Sequence, residues 1–381
     1  PFPNRASSEF LGKLSSDGCW YNKKKKATFG RVIPIKLEEK GRKIAGKCQG
    51  LPLAASIIGG MLRNKESDEW LSILESSLLG SMANGNSILQ LLKLSFDHLP
   101  SPYLQKCFAY CSIFSKDHDI EREQLIQLWM AEGYIQPSVG NGPEKENMGY
   151  AFFDILLKSS LFQEVILDEY CNITHCKMHD LVHDLAQSVS NFGKTGADGT
   201  YKIRYLALES FGEKTCPISK DNARYLRTLF LETNTFDDVP TCKFLRVLNL
   251  SWAEIEQLPT SICRLIHLRY LDLSSTAIKG LPISVCKLYN LETLRIKECY
   301  YLRELPDKFR NLISLRHFDF STFDSKFEMP PKIGQLTCLQ TLRFFNVGRD
   351  KGRQIEELGF LKNLSGRLVI RNLERVKDKE A

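Results

Sequence analysis

Residues 245–267 read LRVLNLSWAEIEQLPTSICRLIH, and residues 268–290 follow directly with LRYLDLSSTAIKGLPISVCKLYN. Further copies of this pattern begin at Leu291, Leu315 and Leu339, so successive copies start 23, 23, 24 and 24 residues apart. Each copy opens with L-x-x-L-x-L, with Phe at two of these positions in the fourth, and the four complete copies carry Leu-Pro or Met-Pro about 14 residues later. A constant period of this length predicts a leucine-rich-repeat solenoid.

Weaker copies open at Arg204 and Leu226, and we expect a further one near Leu368. No single copy can bury its own apolar face, so the copies must stack on one another. The first, fourth and sixth positions of each opening should point inward from a short strand, because side chains alternate along a strand. The third and fifth positions should then face solvent on the concave side.

We call these solvent-facing positions the concave stripe. Its ten members are Val247, Asn249, Tyr270, Asp272, Thr293, Arg295, His317, Asp319, Thr341 and Arg343. Such a mixed polar and aromatic surface suits a protein partner. We predict that the partner is bound by Asn249, Tyr270, Asp272, Arg295, His317, Asp319 and Arg343. The alternative is that part of the stripe is only a solvated strand face.

The chain has 381 residues, room for two or three domains, and a formal net charge of +7. Residues 1–200 hold 22 basic and 23 acidic side chains, whereas residues 201–381 hold 30 and 22, a net +8. This charge favours an acidic partner patch or intramolecular docking on an acidic domain. The basic residues are too diluted by acidic ones to indicate nucleic acid binding by themselves.

The most apolar stretch, Leu51–Leu62, is only about a dozen residues long, whereas a bilayer span needs roughly 20. We therefore expect a buried helix there and no membrane span. Residues 1–10 are polar and lack an apolar core, so we expect no secretory signal. The 12 cysteines are scattered, and several occupy positions where apolar residues belong. Buried free thiols favour a reducing, intracellular compartment, so we expect a cytoplasmic protein.

The N-terminal half has a helical pattern. We predict helices at Lys36–Gln49, Asp68–Leu79, Ser87–Leu99, Pro102–Ser112, Glu121–Ala131 and about Glu144–Ser160. Two short strands should follow within residues 161–177, around Asp168 and Glu169, and then an amphipathic helix at Met178–Ser190. Several helices followed by a hairpin is the order of a winged-helix domain.

These patterns predict a multi-domain fold of class α + α/β, with a helical subdomain and a winged-helix domain followed by the solenoid. We assign the helical subdomain to residues 1–83 and the winged helix to residues 84–192. A small polar linker at residues 193–202 then leads to the leucine-rich repeats at residues 203–381.

Some residues resemble metal-binding, catalytic or phosphate-binding motifs. Cys171, Cys176, His179 and His183 form C-x4-C-x2-H-x3-H, but this spacing matches none of the common zinc patterns, so we expect no metal. HDLVHD resembles part of a metal-dependent phosphohydrolase, whose further ligands we cannot assign. The GKT at residues 193–195 lacks the preceding glycine and strand of a phosphate loop. We therefore expect no enzyme.

A winged-helix domain suggests DNA binding as an alternative function. A recognition helix should present cations or amides to base edges. The helix predicted from Glu121 carries Glu121, Glu123 and Glu132 against one cation, Arg122, and its other face is apolar. We therefore expect no DNA partner.

Three long motifs support a family resemblance. GLPLAA at residues 50–55, CFAYCSIFSKDHDIEREQLIQLWMAEGYI at residues 107–135 and KMHDLVHDLA at residues 177–186 resemble the later motifs of the NB-ARC domain of plant intracellular immune receptors. The repeats are similar to theirs as well. The chain thus resembles the C-terminal portion of a nucleotide-binding, leucine-rich-repeat disease resistance protein of the coiled-coil class.

The resemblance implies an ADP/ATP site. Pro52 would be the proline that packs near the adenine, and His179 would contact the terminal phosphate of ADP and hold the closed state. Asp180 would support that histidine. A helix N-terminus beside an imidazole is a reasonable anion site. The alternative is a capped helix whose histidine merely packs.

The family's phosphate loop and Mg-coordinating strand do not occur in these 381 residues, and we expect them upstream of residue 1. We therefore expect the chain alone to bind nucleotide poorly and not to hydrolyse it. The resemblance implies a switch module and a recognition arm that acts in the defence response. Its partners would be a pathogen effector or a guarded host protein, bound through the repeats, and the NB-ARC core, bound intramolecularly. The alternative function is a repeat scaffold or adaptor without nucleotide.

Overall fold

The computed structural model describes residues 39, 42, 51–61, 87–136, 144–190, 203–208, 223–232, 239–321, 327 and 329–376. The predicted helix at Asp68–Leu79 and the predicted linker lie outside the described residues. Of the predicted helix at Lys36–Gln49, only Glu39 and Arg42 are described, and both are helical. The chain consists of two compact units: a first unit, residues 1–123 and 147–190, and a second unit, residues 124–146 and 191–381.

The first unit contains helices and one small sheet. Its elements in chain order are α1 Pro52–Met61, α2 Ser87–Asp97, α3 Pro102–Tyr110, β1 Ile120–Glu121, the start of α4 Arg122–Glu132, most of α5 Lys145–Lys158, β2 Gln163–Leu167, β3 Ile173–Lys177 and α6 Asp180–Val189. A short 3-10 turn, Cys111–Ile113, follows α3. The helices predicted from Ser87 to Ser190 are therefore confirmed, with ends that shift by at most two residues.

Local sequence explains where these elements begin and turn. Helix α3 begins where the Ser101 hydroxyl accepts a hydrogen bond from the Tyr103 amide, and Pro102 occupies the first helical position. Strands β1, β3 and β2 form an antiparallel sheet in that order. The β2–β3 turn is closed by Asp168, whose carboxylate accepts hydrogen bonds from the Tyr170 and Asn172 amides. The predicted hairpin around Asp168 is confirmed.

The second unit contains the repeats. Seven parallel strands lie side by side in chain order: β4 Tyr205–Leu208, β5 Thr228–Leu231, β6 Val247–Asn249, β7 Tyr270–Asp272, β8 Thr293–Ile296, β9 His317–Phe320 and β10 Thr341–Leu342. A separate parallel pair consists of β11 Phe344–Asn346 and β12 Val369–Arg371. Short 3-10 helices form the return segments at Val239–Thr241, Thr260–Arg264, Ile283–Lys287, Asp307–Asn311, Ile333–Gln335, Ile355–Phe360 and Leu373–Arg375.

Inward-pointing leucines form one continuous core along the repeats. Leu245, Leu248 and Leu250 are fully buried, and the matching residues of the next copies, including Phe318 and Phe320, are buried with them. Phe318 and Phe320 stack with ring centroids 4.7 Å apart. The solenoid and its inward positions, predicted from the period, are confirmed. Among the described residues, no helix is long and apolar enough to span a bilayer.

Candidate functional site

A cavity of about 370 Å³ lies in the first unit. It is lined by Leu51, Pro52, Leu53, Ser56, Ile88, Ser160, Gln163, His179 and Leu181. The volume lies at the lower end of the range of small-molecule sites, and most of the lining is apolar. The fold thus brings together Pro52 and His179, which are 127 residues apart in the chain.

Helices α1 and α6 position these two residues. Pro52 is the first residue of α1, and His179 is the N-cap of α6. The Nδ1 atom of His179 accepts a hydrogen bond from the Leu181 amide at 3.2 Å, which satisfies one of the open donors of the helix. His179 is half-buried, whereas Asp180 is exposed and does not line the cavity.

The close approach of two helices shapes one wall of the cavity. The Ser160 hydroxyl donates to the Ser56 carbonyl at 3.1 Å. A Cβ atom on Gly60 would lie 2.7 Å from the Lys158 carbonyl oxygen, so only glycine fits between α1 and the end of α5.

The lining of this cavity fits part of an adenine nucleotide. Leu51, Leu53, Ile88 and Leu181 offer apolar contact for a planar base, and His179 offers a ring nitrogen beside a helix N-terminus. The nine lining residues include no lysine or arginine to neutralise a diphosphate. The lining therefore fits the base better than it fits the phosphates.

The Cys/His pattern of the wing is divided among different environments. His183 Nε2 lies 2.8 Å from the Phe114 carbonyl, as the donor of a buried hydrogen bond. Cys171 is exposed, whereas Cys176 is buried, and burial raises the pKa of its thiol to about 12. The described part of the chain holds no group of three or more side chains arranged to hold a metal ion.

The concave stripe is mostly buried, which corrects the expectation that it faces solvent. Nearly all of its predicted partner-binding members are at most 7% exposed, namely Asn249, Tyr270, Asp272, Arg295, His317 and Asp319. Only the side chain of Arg343, at 51%, is largely exposed. One reason is that residues 124–136 and 144–146, which we call the docking segment, lie against the strands. Gln124, for example, reaches both Tyr270 and Asp272 at 3.4 Å.

The second reason is that the charges of the stripe pair with one another. Arg295 Nε lies 3.0 Å from Asp272, and Arg295 Nη1 lies 3.8 Å from Asp319. Asp319 also pairs with Lys297 at 3.0 Å and with Arg343 at 2.9 Å. Opposite charges on adjacent strands thus run across the stripe, and buried charges require such pairing.

A second line of charges lies at the residue that directly precedes each strand of the seven-stranded sheet. Reading across the strands, this column consists of Arg204, Arg227, Arg246, Arg269, Glu292, Arg316 and Gln340. We call it the arginine column. Backbone hydrogen bonds link consecutive members, for example Arg246 N to Arg227 O and Arg269 N to Arg246 O. The neighbouring guanidinium groups add to the effect of burial in lowering the pKa of Arg246.

The docking segment ends with Glu146 on this column. The Glu146 carboxylate accepts hydrogen bonds from Arg316 Nε at 2.7 Å and Arg316 Nη2 at 2.9 Å, and His317 Nε2 lies 3.3 Å away. Burial by itself raises the pKa of Glu146. The contacts with His317 and Arg316 outweigh burial and bring the pKa down to about 2.

We call each position of the column a rung. The rung next to Arg316 carries a negative charge instead of a positive one, and the docking-segment residue that contacts it is positive instead of negative. Glu292 interrupts the run of arginines, and Lys145 Nζ lies 3.3 Å from its carboxylate. Arg269 approaches the same carboxylate at 3.7 Å. The two neighbouring residues of the docking segment, Lys145 and Glu146, therefore match two neighbouring rungs in sign.

A third contact lies at the end of α4. The buried Glu132 carboxylate accepts a hydrogen bond from the Thr228 hydroxyl at 2.5 Å, and its carbonyl oxygen accepts one from Arg246 Nη1 at 2.5 Å. Burial raises the pKa of Glu132, although Thr228 and Arg246 oppose that effect. Gly133 follows with φ +80°, and its Cα is close enough that a Cβ would lie 3.3 Å from Arg246 Nη1.

Reasoning from the sequence did not assign these residues. The predicted positions were the third and fifth of each repeat, whereas Arg occupies the column position in five copies. Of the acidic residues of the docking segment, Glu132 counted only against DNA binding, and Glu146 had no predicted role. The match of charge signs between the column and residues 124–146 is the feature of the sequence that could have predicted these contacts.

Comparison with family models identifies two regions. Residues 113–186 match the disease resistance protein winged helix domain, and residues 225–380 match a leucine-rich repeat region. A solved leucine-rich-repeat protein of Leptospira interrogans is 24% identical, over 43% of this chain and 42% of that one, with a TM-score of 0.36.

Curated relatives match both regions together. The putative disease resistance protein RGA4 of Solanum bulbocastanum is 43% identical over 343 residues, which are 89% of this chain and 32% of that protein. Disease resistance protein RGA2 of the same species is 40% identical over 380 residues, 97% of this chain and 37% of that protein. The chain spans about a third of the length of these relatives. The chain carries a winged-helix domain of the disease resistance protein type and a leucine-rich repeat region, and these curated relatives are plant disease resistance proteins.

Proposed function

We propose that this chain is the switch and recognition portion of a cytoplasmic plant immune receptor, in which the docking segment and the repeats hold each other in a closed state. The observation that carries the proposal is the match of charge signs along the column. Lys145 meets Glu292 and Glu146 meets Arg316, each with the opposite charge, and the Glu132 carbonyl accepts a hydrogen bond from Arg246. These three contacts would fix both the position and the direction of the segment on the repeats.

Recognition would be coupled to this closure. The docking segment covers part of the face on which repeat proteins offer their strands, so a pathogen effector or guarded host protein that binds there must compete with it. A ligand shifts such an equilibrium only by its difference in affinity for the two states. Binding of the partner to the uncovered face therefore favours the open state. In this proposal, the open state is the form of the receptor that signals.

Hydrogen exchange tests the closure directly. In the double variant Arg246→Gln/Arg316→Gln, we expect amides of residues 124–132 to exchange at least about tenfold faster than in the unaltered chain, because the segment loses two of its three contacts. Arg264→Gln is the matched control, since Arg264 is exposed and lies outside the column. Unchanged protection of residues 124–132 in the double variant contradicts the closed state.

Expression in leaves tests the immune role. The gene product that contains this chain should be silent without a pathogen, whereas the same product with Arg246→Gln/Arg316→Gln should cause local cell death. The Arg264→Gln product should stay silent. A double variant that accumulates to normal levels and stays silent would contradict a role of the docking segment in restraint.

We also propose that the cavity between Pro52 and His179 is this chain's share of an ADP site. Pro52 and the apolar lining would hold the adenine, and His179 would meet a phosphate. Because no lysine or arginine lines the cavity, we expect the chain alone to bind ADP only in the millimolar range, about 4 kcal/mol.

Saturation-transfer NMR with millimolar ADP measures this binding. We expect transfer to the adenine protons, and an affinity that falls in His179→Ala but not in the control His267→Ala, whose ring stacks on Phe244 in the repeats. Absence of transfer would overturn the assignment of the cavity. Micromolar affinity would contradict the expectation of a partial site, and no effect of His179→Ala would favour a histidine that only caps its helix.

A repeat scaffold without nucleotide is the second candidate. The absence of a cation from the described cavity lining favours it. Such a scaffold would keep the partner binding of the repeats and show no response to ADP in the exchange experiment.

A further inference from the structure

The contacts of the docking segment describe the chemistry that the arginine column can bind. The column presents four neighbouring rungs to the segment, namely Arg246, Arg269, Glu292 and Arg316. The docking segment places a carboxylate at the Arg316 rung and a lysine at the Glu292 rung. A second glutamate, Glu132, approaches the cations at the other end and accepts from Arg246 through its backbone.

The spacing of these rungs can be stated. Adjacent strands of a sheet lie about 4.8 Å apart, so Arg246 and Arg316, three rungs apart, are separated by about 14 Å. An extended chain rises about 3.4 Å per residue, so two side chains four positions apart cover this distance. Side chains alternate between the two faces, so the third of these five positions shares a face with both acids, and a lysine there reaches the Glu292 rung with its long side chain.

The arginines remain suited to a ligand when the segment leaves. The Arg316 guanidinium forms a bidentate pair with Glu146, which is the geometry in which arginine discriminates carboxylates. Arg269 is 35% exposed even with the segment in place. The Glu292 carboxylate disfavours a uniform polyanion, because a phosphate at every rung would meet a like charge there.

The geometry points to the arginine column as a binding site for an acidic segment of a partner protein, one that places two carboxylates about 14 Å apart with a cation between them on the same face. The docking segment is the intramolecular mimic of that ligand. This inference rests on the proposed closure, since the partner gains the column only when the docking segment is released.

A peptide of twelve residues tests the inference. It carries Glu-Ser-Lys-Ser-Glu, with two glutamates four positions apart and the lysine on the same face between them, in a serine-glycine background. The host is the full chain with Glu132→Gln/Glu146→Gln, which keeps all column arginines and removes the competing carboxylates. Since Glu132 is buried, the single variant Glu146→Gln serves as a second host, and circular dichroism verifies that both hosts are folded.

We expect the peptide to bind the hosts at least about tenfold more tightly than it binds the unaltered chain. Replacing both peptide glutamates by glutamine, or adding Arg246→Gln/Arg316→Gln to the host, should each weaken binding at least about tenfold. Moving the lysine outside the two glutamates should weaken it as well. Arg264→Gln in the host should change affinity less than twofold.

Three results would overturn the inference. They are equal affinity for the glutamate and glutamine peptides, no loss with the column variant, and tighter binding of a twelve-nucleotide thymidine oligomer than of the peptide. The last result would identify a general polyanion surface. The exchange experiment separates the two proposals: a segment that is released in Arg246→Gln/Arg316→Gln, together with hosts that bind no peptide, refutes this inference and leaves the closure standing. An unreleased segment refutes the closure, and with it this inference.

Discussion

The Glu146 carboxylate and the Arg316 guanidinium form a bidentate ion pair, 2.7 Å from Nε and 2.9 Å from Nη2, although the two residues are 170 positions apart in the chain. Both side chains are largely shielded from water, at 12% and 20% exposure. Screening by salt is therefore limited, and removal of one partner leaves a poorly hydrated charge. This pair has consequences for pH dependence that can be measured.

Acid should weaken the contact of Glu146 in a defined window. The pKa of Glu146 falls from about 4.5 in the unfolded chain to about 2 in the folded chain, so the pair stabilises the fold above pH 4.5 and its contribution is lost as the pH falls toward 2. The difference amounts to about 3 kcal/mol at neutral pH. Urea unfolding from pH 7 to pH 3 should show a steeper loss in the unaltered chain than in Glu146→Gln. Parallel curves for the two proteins would contradict this role of Glu146.

Gly133 should tolerate no side chain where α4 meets the repeats. Its φ of +80° disfavours any L side chain, and a Cβ would crowd Arg246 Nη1 at 3.3 Å. We expect Gly133→Ala to lower the free energy of unfolding by about 1–2 kcal/mol. Gly359→Ala is the control, because a Cβ there meets nothing within 4 Å. Equal effects of the two substitutions would show that Gly133 is not constrained.

The buried charges of the concave stripe should be far more sensitive than exposed ones. Arg295 is 4% exposed and lies between Asp272 and Asp319, so Arg295→Leu leaves two buried carboxylates without this cation. We expect a loss of about 3–5 kcal/mol in the free energy of unfolding. Lys279→Met, which removes an exposed pair with Glu256, should have no measurable effect on thermal unfolding. A stable Arg295→Leu protein would show that the stripe does not need its ion pairs.

Gly60 should be equally restricted in the first unit. A Cβ at this position would lie 2.7 Å from the Lys158 carbonyl and 2.8 Å from the Ser159 carbonyl carbon, so α1 must move away from α5. We expect Gly60→Ala to cost about 1–3 kcal/mol and to weaken ADP binding, because α1 carries Pro52 into the cavity. Gly280→Ala, where a Cβ has no neighbour within 4 Å, is the control. Unaltered stability of Gly60→Ala would contradict the tight packing of these helices.

Local and periodic features were predictable from the sequence. The 23–24-residue period gave the inward positions, and the hairpin around Asp168 followed from turn chemistry. Motif resemblance placed Pro52 and His179 together, and the fold brings both to one cavity. The first two features depend on a pattern repeated many times or on residues close in sequence, whereas the third depends on the resemblance of two long motifs to a known family.

Burial of the concave stripe could not be predicted in the same way. Tyr270 and Asp272 are covered because Gln124, nearly 150 residues earlier, packs on them, and no periodicity reports such a contact. Strand alternation alone assigns them to solvent. The Arg316–Glu146 pair likewise depends on where α5 begins in space. The sequence indicates this pair only through the match of charge signs between the arginine column and residues 124–146.

A double-mutant cycle on Glu146 and Arg316 tests the central claim most directly. The free energy of unfolding is measured by urea titration at pH 7 for the unaltered chain, Glu146→Gln, Arg316→Gln and the double variant. If the docking segment is held on the repeats by this pair, the coupling energy should be about 1.5–3 kcal/mol, and the double variant should lose less than the sum of the single losses. Additive losses, with a coupling energy below about 0.5 kcal/mol, would contradict the claim that the pair holds the segment on the repeats.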